Sequence, residues 1–192
     1  RGGRGMGRRR NAGGMGDLAA LVLRLVLGLF MAGHGSQKLF GWFEGPGLQD
    51  TSQFMESIGL QPGRPWAITA GLSEFGGGLL MILGLLNPVG PLGAIGSMVM
   101  ATVKVHADKP IWVTEGGAEL PATNMAAAMA LMLNGPGKYS LDRALRIQWP
   151  RWLVAILGLV TIALTVAVAT RGAPPPQEAE DEAREELAGE EE

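Results

Sequence analysis

Five apolar runs divide this 192-residue chain, and they restrict its fold more than any other feature. They cover about Leu18 to Leu39, Trp66 to Leu86, Val89 to Val105, Leu120 to Leu133 and Trp152 to Thr170. A helix needs about 20 residues to cross about 30 Å of hydrocarbon. The first, second, third and fifth runs meet that requirement. The fourth, rich in Ala and Met, meets it only with flanking residues, or with little tilt and shelter from its neighbours. Within a bilayer every backbone N–H and C=O must be satisfied inside the chain, so such runs become helices. The expectation is an all-α, polytopic membrane bundle, and a soluble helical bundle is the weaker reading. The mean hydropathy of +0.19 hides this pattern, because polarity is concentrated at the two ends and in a few loops.

Breaks between the runs are legible. Pro88 has no N–H and restricts Asn87, so "NP" separates the second run from the third. Asn134, Gly135, Pro136 and Gly137 stop the fourth run, after which Ser140 or Asp142 can open the next helical turn. The stretch "QDTSQFMESIGL" predicts a short helix capped by Asp50 or Thr51, with Phe54, Met55, Ile58 and Leu60 on its apolar side. Trp42, Phe43 and Trp66 fit interfacial anchors. Residues 1–17 form a basic head, read as preceding a retained first span rather than a cleaved signal. Residues 144–151 form a basic connector, 152–170 a fifth span, and 171–192 an acidic, low-complexity tail. Arg1, Arg4 and Arg8 to Arg10, with Lys138, Arg143, Arg146 and Arg151, predict a cytoplasmic amino terminus and an external carboxyl terminus.

The absence of cysteine excludes disulfides and thiolate-held clusters or zinc. The two histidines form no closed ligand motif, so no metal is expected. "GGMGD" and "SEFGGGL" lack the lysine and the strand–helix context of a phosphate loop. Anionic lipid explains the arginine-rich head with less machinery than nucleic acid does.

Polar residues inside the runs are the candidate site. Arg24 interrupts the first run and Glu74 the second. Charges at membrane depth are costly and demand partners, so an Arg24–Glu74 pair or shared network is expected. His34 and Lys38 lie four residues apart and, with Arg24, project within a sector of roughly 80°. Gly33, Gly35 and Ser36 leave room beside that stripe. His106 ends the third run near the same face of the membrane. His34, Lys38, Glu74 and His106 are thus expected to form an outward-facing polar pocket able to relay protons or to bond a quinone head group. Simple snorkelling of His34, Lys38 and His106 at the interface is the competing reading. Gly90, Gly93 and Gly96 recur every three residues and mark a smooth contact strip for a neighbouring helix.

The ordered set "LRLVLGLFMAGHGSQKLFG", "GLSEFGGGLLMILGLLNP", "MVMATVKVHADK" and "NMAAAMALMLNGPGKYSLDR" resembles the DoxX family of small prokaryotic membrane proteins over about residues 18–143. The resemblance implies a four-helix membrane core, to which the fifth run and the acidic tail are additions. Positions that follow its pattern are Arg24, Gly28, Gly33, His34, Lys38, Glu74, Gly77, His106, Gly137, Ser140 and Asp142. Gly28, Gly33 and Gly77 join Gly93 and Gly96 as expected helix-packing glycines. Some relatives are similar to a subunit of thiosulfate–quinone oxidoreductase, and others are implicated in oxidative-stress systems. The functional expectation is an accessory membrane subunit of a redox or respiratory-type complex, contacting non-covalent quinone. The alternative is a non-catalytic structural or assembly protein. Expected partners are membrane lipid and other membrane subunits or a second copy, with no nucleic acid.

Overall fold

A computed structural model describes the backbone of residues 5–171 and the side chains of residues 14–171. Most of the basic head's side chains and the acidic tail beyond Arg171 lie outside the described residues. Seven α-helices occur among the described residues: α1 (Gly5–Phe40), α2 (Gly47–Ser57), α3 (Gly63–Leu83), α4 (Val89–Val105), α5 (Glu119–Asn134), α6 (Leu141–Leu145) and α7 (Arg151–Thr170). There is no strand among them. By length and composition, Gly14–Phe40, Gly63–Leu83 and Arg151–Thr170 can cross a membrane. The protein is therefore an all-helical, polytopic membrane protein.

Two further helices of the bundle are shorter than these three. Helix α4 has 17 residues, which is about 25 Å at 1.5 Å per residue. Its bounds are those of its run, and it is a little short of the about 20 residues a full crossing needs. Helix α5 has 16 residues and begins at Glu119. Both pack inside the bundle, where protein rather than lipid covers much of their surface: α4 touches α3, α5 and α7, and α5 touches α1, α4 and α7.

Helices α1, α3, α4 and α5 form an antiparallel four-helix bundle, and α7 packs on its α4 side. The core contains Leu27 and Met31 of α1, Met81 of α3, Ala94, Ile95 and Val99 of α4, Ala128, Leu131 and Met132 of α5, and Val154 of α7. The outward side chains are also large and apolar, including Leu29, Phe30, Leu79, Leu159 and Leu164. An apolar outside around an apolar inside is the arrangement lipid requires. One end of the bundle is closed by α2, whose Met55 packs with Leu60 and Ala67. The other end carries the α3–α4 turn and α6. These are called the α2 end and the α6 end below.

The expected short helix is present as α2, but Pro46 occupies its cap position and Asp50 lies in its first turn. The Thr51 hydroxyl donates to Gly47 O at 2.6 Å instead of capping. Ser140 caps α6 as the sequence suggests, accepting from Arg143 N.

Glycines set the distances between the spans. A Cβ on Gly28 would lie 2.8 Å from Gly78 O, and one on Gly78 would lie 2.6 Å from Gly28 O. Gly77 faces Gly90 of α4, Gly93 faces the Ser73 carbonyl, and Gly96 meets Thr161 and Thr165 of α7 at ordinary contact distance. These close approaches substitute for the hydrophobic drive that is missing between helices in lipid. Gly33 does not belong with them. A Cβ there would meet nothing within 4 Å, and the same is true of Gly76. The tight α1–α3 contact runs instead through Gly35, whose Cβ would strike the Phe75 and Gly71 backbones.

Candidate functional site

The polar residues inside the bundle form two clusters at opposite ends rather than one. Arg24 is 3% exposed and points to the α6 end. Its guanidinium donates to Pro136 O at 2.6 Å, Tyr139 O at 2.8 Å and, more weakly, Ile82 O at 3.5 Å. Asp142 is the carboxylate at the same end, but it makes neither an ion pair nor a hydrogen bond with Arg24 among the described residues. Asp142 Oδ1 accepts from Leu86 N at 2.7 Å and Oδ2 from Asn87 N at 2.8 Å. Its own N–H donates to Gly84 O at 3.0 Å.

The turn that presents these N–H groups is special. Gly84 (φ 62°) and Leu86 (φ 53°) are both left-handed. Gly84 N donates to Met81 O and Leu85 N to Leu80 O, which ends α3 in a Schellman turn. The next two N–H groups then converge on one anion, as successive amides in such turns do. A side chain at Gly84 would collide with Arg24. Arg24, Asp142 and the α3–α4 turn thus clasp α1, α3, α4, α5 and α6 together at this end.

Glu74 belongs to the α2 end. It is 3% exposed, and its Oε1 accepts from Lys38 Nζ at 2.5 Å. Its Oε2 has no hydrogen-bond partner among the described residues. The expected Arg24–Glu74 pair does not form. The Gly28–Gly78 and Arg24–Gly84 contacts fix the α1–α3 register so that Arg24 sits level with Gly84. Glu74 is ten residues away along α3, about 15 Å. Lys38, on a flexible four-carbon stem, neutralises it instead.

The expected pocket of four side chains also divides. His34 is exposed, with Nδ1 3.2 Å from Gln37 Oε1 on its own helix. His106 Nδ1 donates to Gly116 O at 2.5 Å and organises the α4–α5 loop. By the α3–α4 contacts of Gly77 with Gly90 and Ser73 with Gly93, Glu74 stands level with about Gly93. His106 is 13 residues beyond that, about 20 Å along α4. Only Lys38 and Glu74 remain together.

The Lys38–Glu74 pair is asymmetric. The Lys38 side chain is 29% exposed and that of Glu74 only 4%. Without Glu74, the ammonium can snorkel toward water; without Lys38, the carboxylate is stranded. Lys38→Met is therefore expected to destabilise the fold more than Glu74→Gln, by about 2 kcal/mol or more against about 1 kcal/mol. Denaturant unfolding of both variants in one detergent checks the order.

A separate cleft of about 250 Å³ opens between α3, α4 and α7 near the α2 end. Its walls are mainly apolar, with Leu60, Trp66 and Met100 prominent, but Thr69, Ser73, Ser97 and Thr165 also face it. Ser97 Oγ is buried there without a hydrogen-bond partner among the described residues. Glu74 does not line this cleft, although its neighbour Ser73 does. The four hydroxyl residues were not singled out as site residues from the sequence. In isolation, Ser and Thr in a membrane helix signal only bonds to their own backbone, as Thr165 makes to Thr161 O.

The DoxX family model matches residues 19–107, which run from α1 through the end of α4. The inner membrane protein YqjF of Escherichia coli (strain K12) is 30% identical over 133 residues, covering 69% of this chain and 96% of that relative. The uncharacterized membrane protein Rv3486 of Mycobacterium tuberculosis is 30% identical over 140 residues, covering 68% of this chain and 83% of that relative. No solved structure matches the chain. With nearly the whole of one relative aligned, and the family's span coinciding with the helices that carry Arg24, Lys38 and Glu74, the chain belongs to the DoxX family.

Proposed function

We propose that this protein is an accessory membrane subunit of a redox or respiratory-type complex and that it contacts quinone. The observation that carries this reading is the hydroxyl-walled cleft between α3, α4 and α7, with the unpaired Ser97 hydroxyl inside it. An apolar cleft with a few polar groups suits a ring that bears two carbonyls and an isoprenoid tail. The contact moves from His34, which is exposed, to this cleft. Glu74, buried on the same helix turn as Ser73, offers an unpaired carboxylate oxygen close by in sequence. The two histidines, one exposed and one bonded to Gly116, offer no paired axial ligands, so electrons would pass through partner subunits.

The same reading places the α6 end in the cytoplasm. Lys138, Arg143, Arg146 and Arg151 gather there, whereas the loops at the α2 end mix Glu44, Asp50, Glu56, Asp108 and Glu115 with Arg64 and Lys109. Crossings by α1, α3, α4, α5 and α7 then leave the amino terminus inside and the carboxyl terminus outside the cell membrane.

The test is purification of the full chain from its native membrane in mild detergent, followed by extraction and identification of quinone. The expected result is quinone retained by the wild type and lost at least about tenfold in Ser97→Leu, which fills the cleft, with unfolding unchanged. A wild type that retains no quinone overturns the reading. The non-catalytic assembly role is the second reading, favoured by the way Arg24 and Asp142 serve only the chain's own backbone. It gains if partner subunits are lost from variants while no quinone is found.

A further inference from the structure

A second cavity, of about 520 Å³, lies at the α6 end between α5, α6 and α7. It is independent of the quinone reading. Arg143 and Arg151 line it together with Asn87, Asn134 and Gln148. Leu133, Ile147, Trp149 and Val154 supply apolar wall. Neither arginine has a carboxylate within ion-pair distance among the described residues, where the only such pairs are Lys38–Glu74 and Lys138–Asp17. Asp142 also borders the cavity, but both its oxygens are taken by Leu86 N and Asn87 N.

The backbone fixes where these two guanidinium groups start. Ser140 caps α6 and accepts the Arg143 N–H. Arg146 turns the chain in a left-handed conformation, and Ile147 N returns to Asp142 O. Pro150 then starts α7, with Arg151 as its first residue. Two cations from separate helices are thereby set around one cavity.

The surroundings favour an amphiphile over a soluble anion. Leu133 and Leu145 are 56% and 62% exposed, and Trp149 and Trp152 are 40% and 66% exposed. Tryptophan at this density marks the head-group level of a bilayer. Leu133 is on α5 and Ile156 and Leu159 continue the exposed apolar side of α7, so acyl chains leaving the cavity would meet apolar helix surface. We infer that this cavity binds the phosphodiester head group of an anionic phospholipid, with Arg143 and Arg151 on the phosphate and Asn134 and Gln148 on the polar head. Paired guanidinium groups suit phosphate because each presents a planar fork of donors. Basic pockets between helices at a membrane face recognise acidic lipids in this manner.

The experiment places the full chain in nanodiscs of equal phosphatidylglycerol and phosphatidylcholine and measures, by native mass spectrometry after release, which lipid stays bound. The wild type is expected to retain phosphatidylglycerol preferentially. At about fivefold for each basic contact, Arg143→Gln/Arg151→Gln is expected to lose about 25-fold of that preference. Arg146→Gln is the control, because Arg146 shares the same end but does not line the cavity. Should the double variant not fold, each single variant reads the same preference with about a fivefold loss. No preference in the wild type overturns the inference. Equal loss in Arg146→Gln overturns it in favour of diffuse charge. Displacement of the lipid by millimolar inorganic phosphate overturns it in favour of a soluble-anion site.

Discussion

Gly35→Leu is expected to abolish the folded bundle, and even Gly35→Ala to cost about 3 kcal/mol or more. A Cβ at this position would strike the Phe75 and Gly71 backbones of α3. Backbone in the middle of a helix cannot rotate away as a side chain can, so relief requires α1 and α3 to separate. Overpacking of a core ordinarily costs about 1–3 kcal/mol, and a collision with a rigid partner belongs at or beyond the upper end. Separation would also open the Gly28–Gly78 contact seven residues away and draw Lys38 from Glu74. Gly33→Ala is the matched control on the same helix. Its Cβ meets nothing within 4 Å, and alanine favours the helix by up to about 1 kcal/mol. Unfolding in detergent should therefore separate two glycines only two residues apart by about 3 kcal/mol or more. Equal behaviour of the two would contradict the α1–α3 packing described above.

Asp142→Asn is expected to cost about 3 kcal/mol, within the range for breaking a buried charge network from one side. The substitution keeps the shape. However, an amide has only one oxygen, while the turn presents two N–H donors, from Leu86 and Asn87. The amide nitrogen must then face one of those donors, and the negative charge at the same end as Arg24 is removed in the same step. Arg24→Gln is expected to cost about 3–5 kcal/mol, because Pro136 O and Tyr139 O lose a charged donor. These two residues serve one clasp, so the double variant should cost less than the sum of the singles, with a coupling of about 1–3 kcal/mol. Hydrogen exchange at Leu86 and Asn87 gives an independent readout. Protection unchanged in Asp142→Asn would show that the carboxylate does not hold the turn.

Much of the architecture could be read from the chain. The spans, the break at Asn87–Pro88, the short helix α2 and the Ser140 cap all follow from local rules, and local rules are what a single sequence carries. Gly77, Gly93 and Gly96 were identified as contact positions, and each meets a neighbouring helix.

Register between helices could not be read in the same way. Hydropathy marks where a span lies but not which residues of two spans share a depth, and α1 begins well before Leu18. The stripe on α1 was also too wide to act as one surface. Taking Arg24 as the origin and 100° per residue, Lys38 falls about 40° around the helix and His34 about 80°. Their environments follow that order: Arg24 is buried, Lys38 partly exposed and His34 exposed. Asp142 was recognised only through the family pattern and as a candidate first-turn residue. Its burial against a turn 55 residues away has no signature in periodicity.

The three adjacent glycines 76–78 each look in a different direction: Gly77 at α4, Gly78 at α1 and Gly76 at neither. Successive residues differ by about 100° of rotation, so this run acts as an angular index for α3. Substitution at one of the three tests a single neighbour. Deleting one residue upstream within α3 would instead shift the whole index by one position, leaving Gly78 in the seat that faces α4 but putting Leu79 in the seat that faces α1. Relatives that share this helix should accordingly tolerate changes of letter there far better than changes of length.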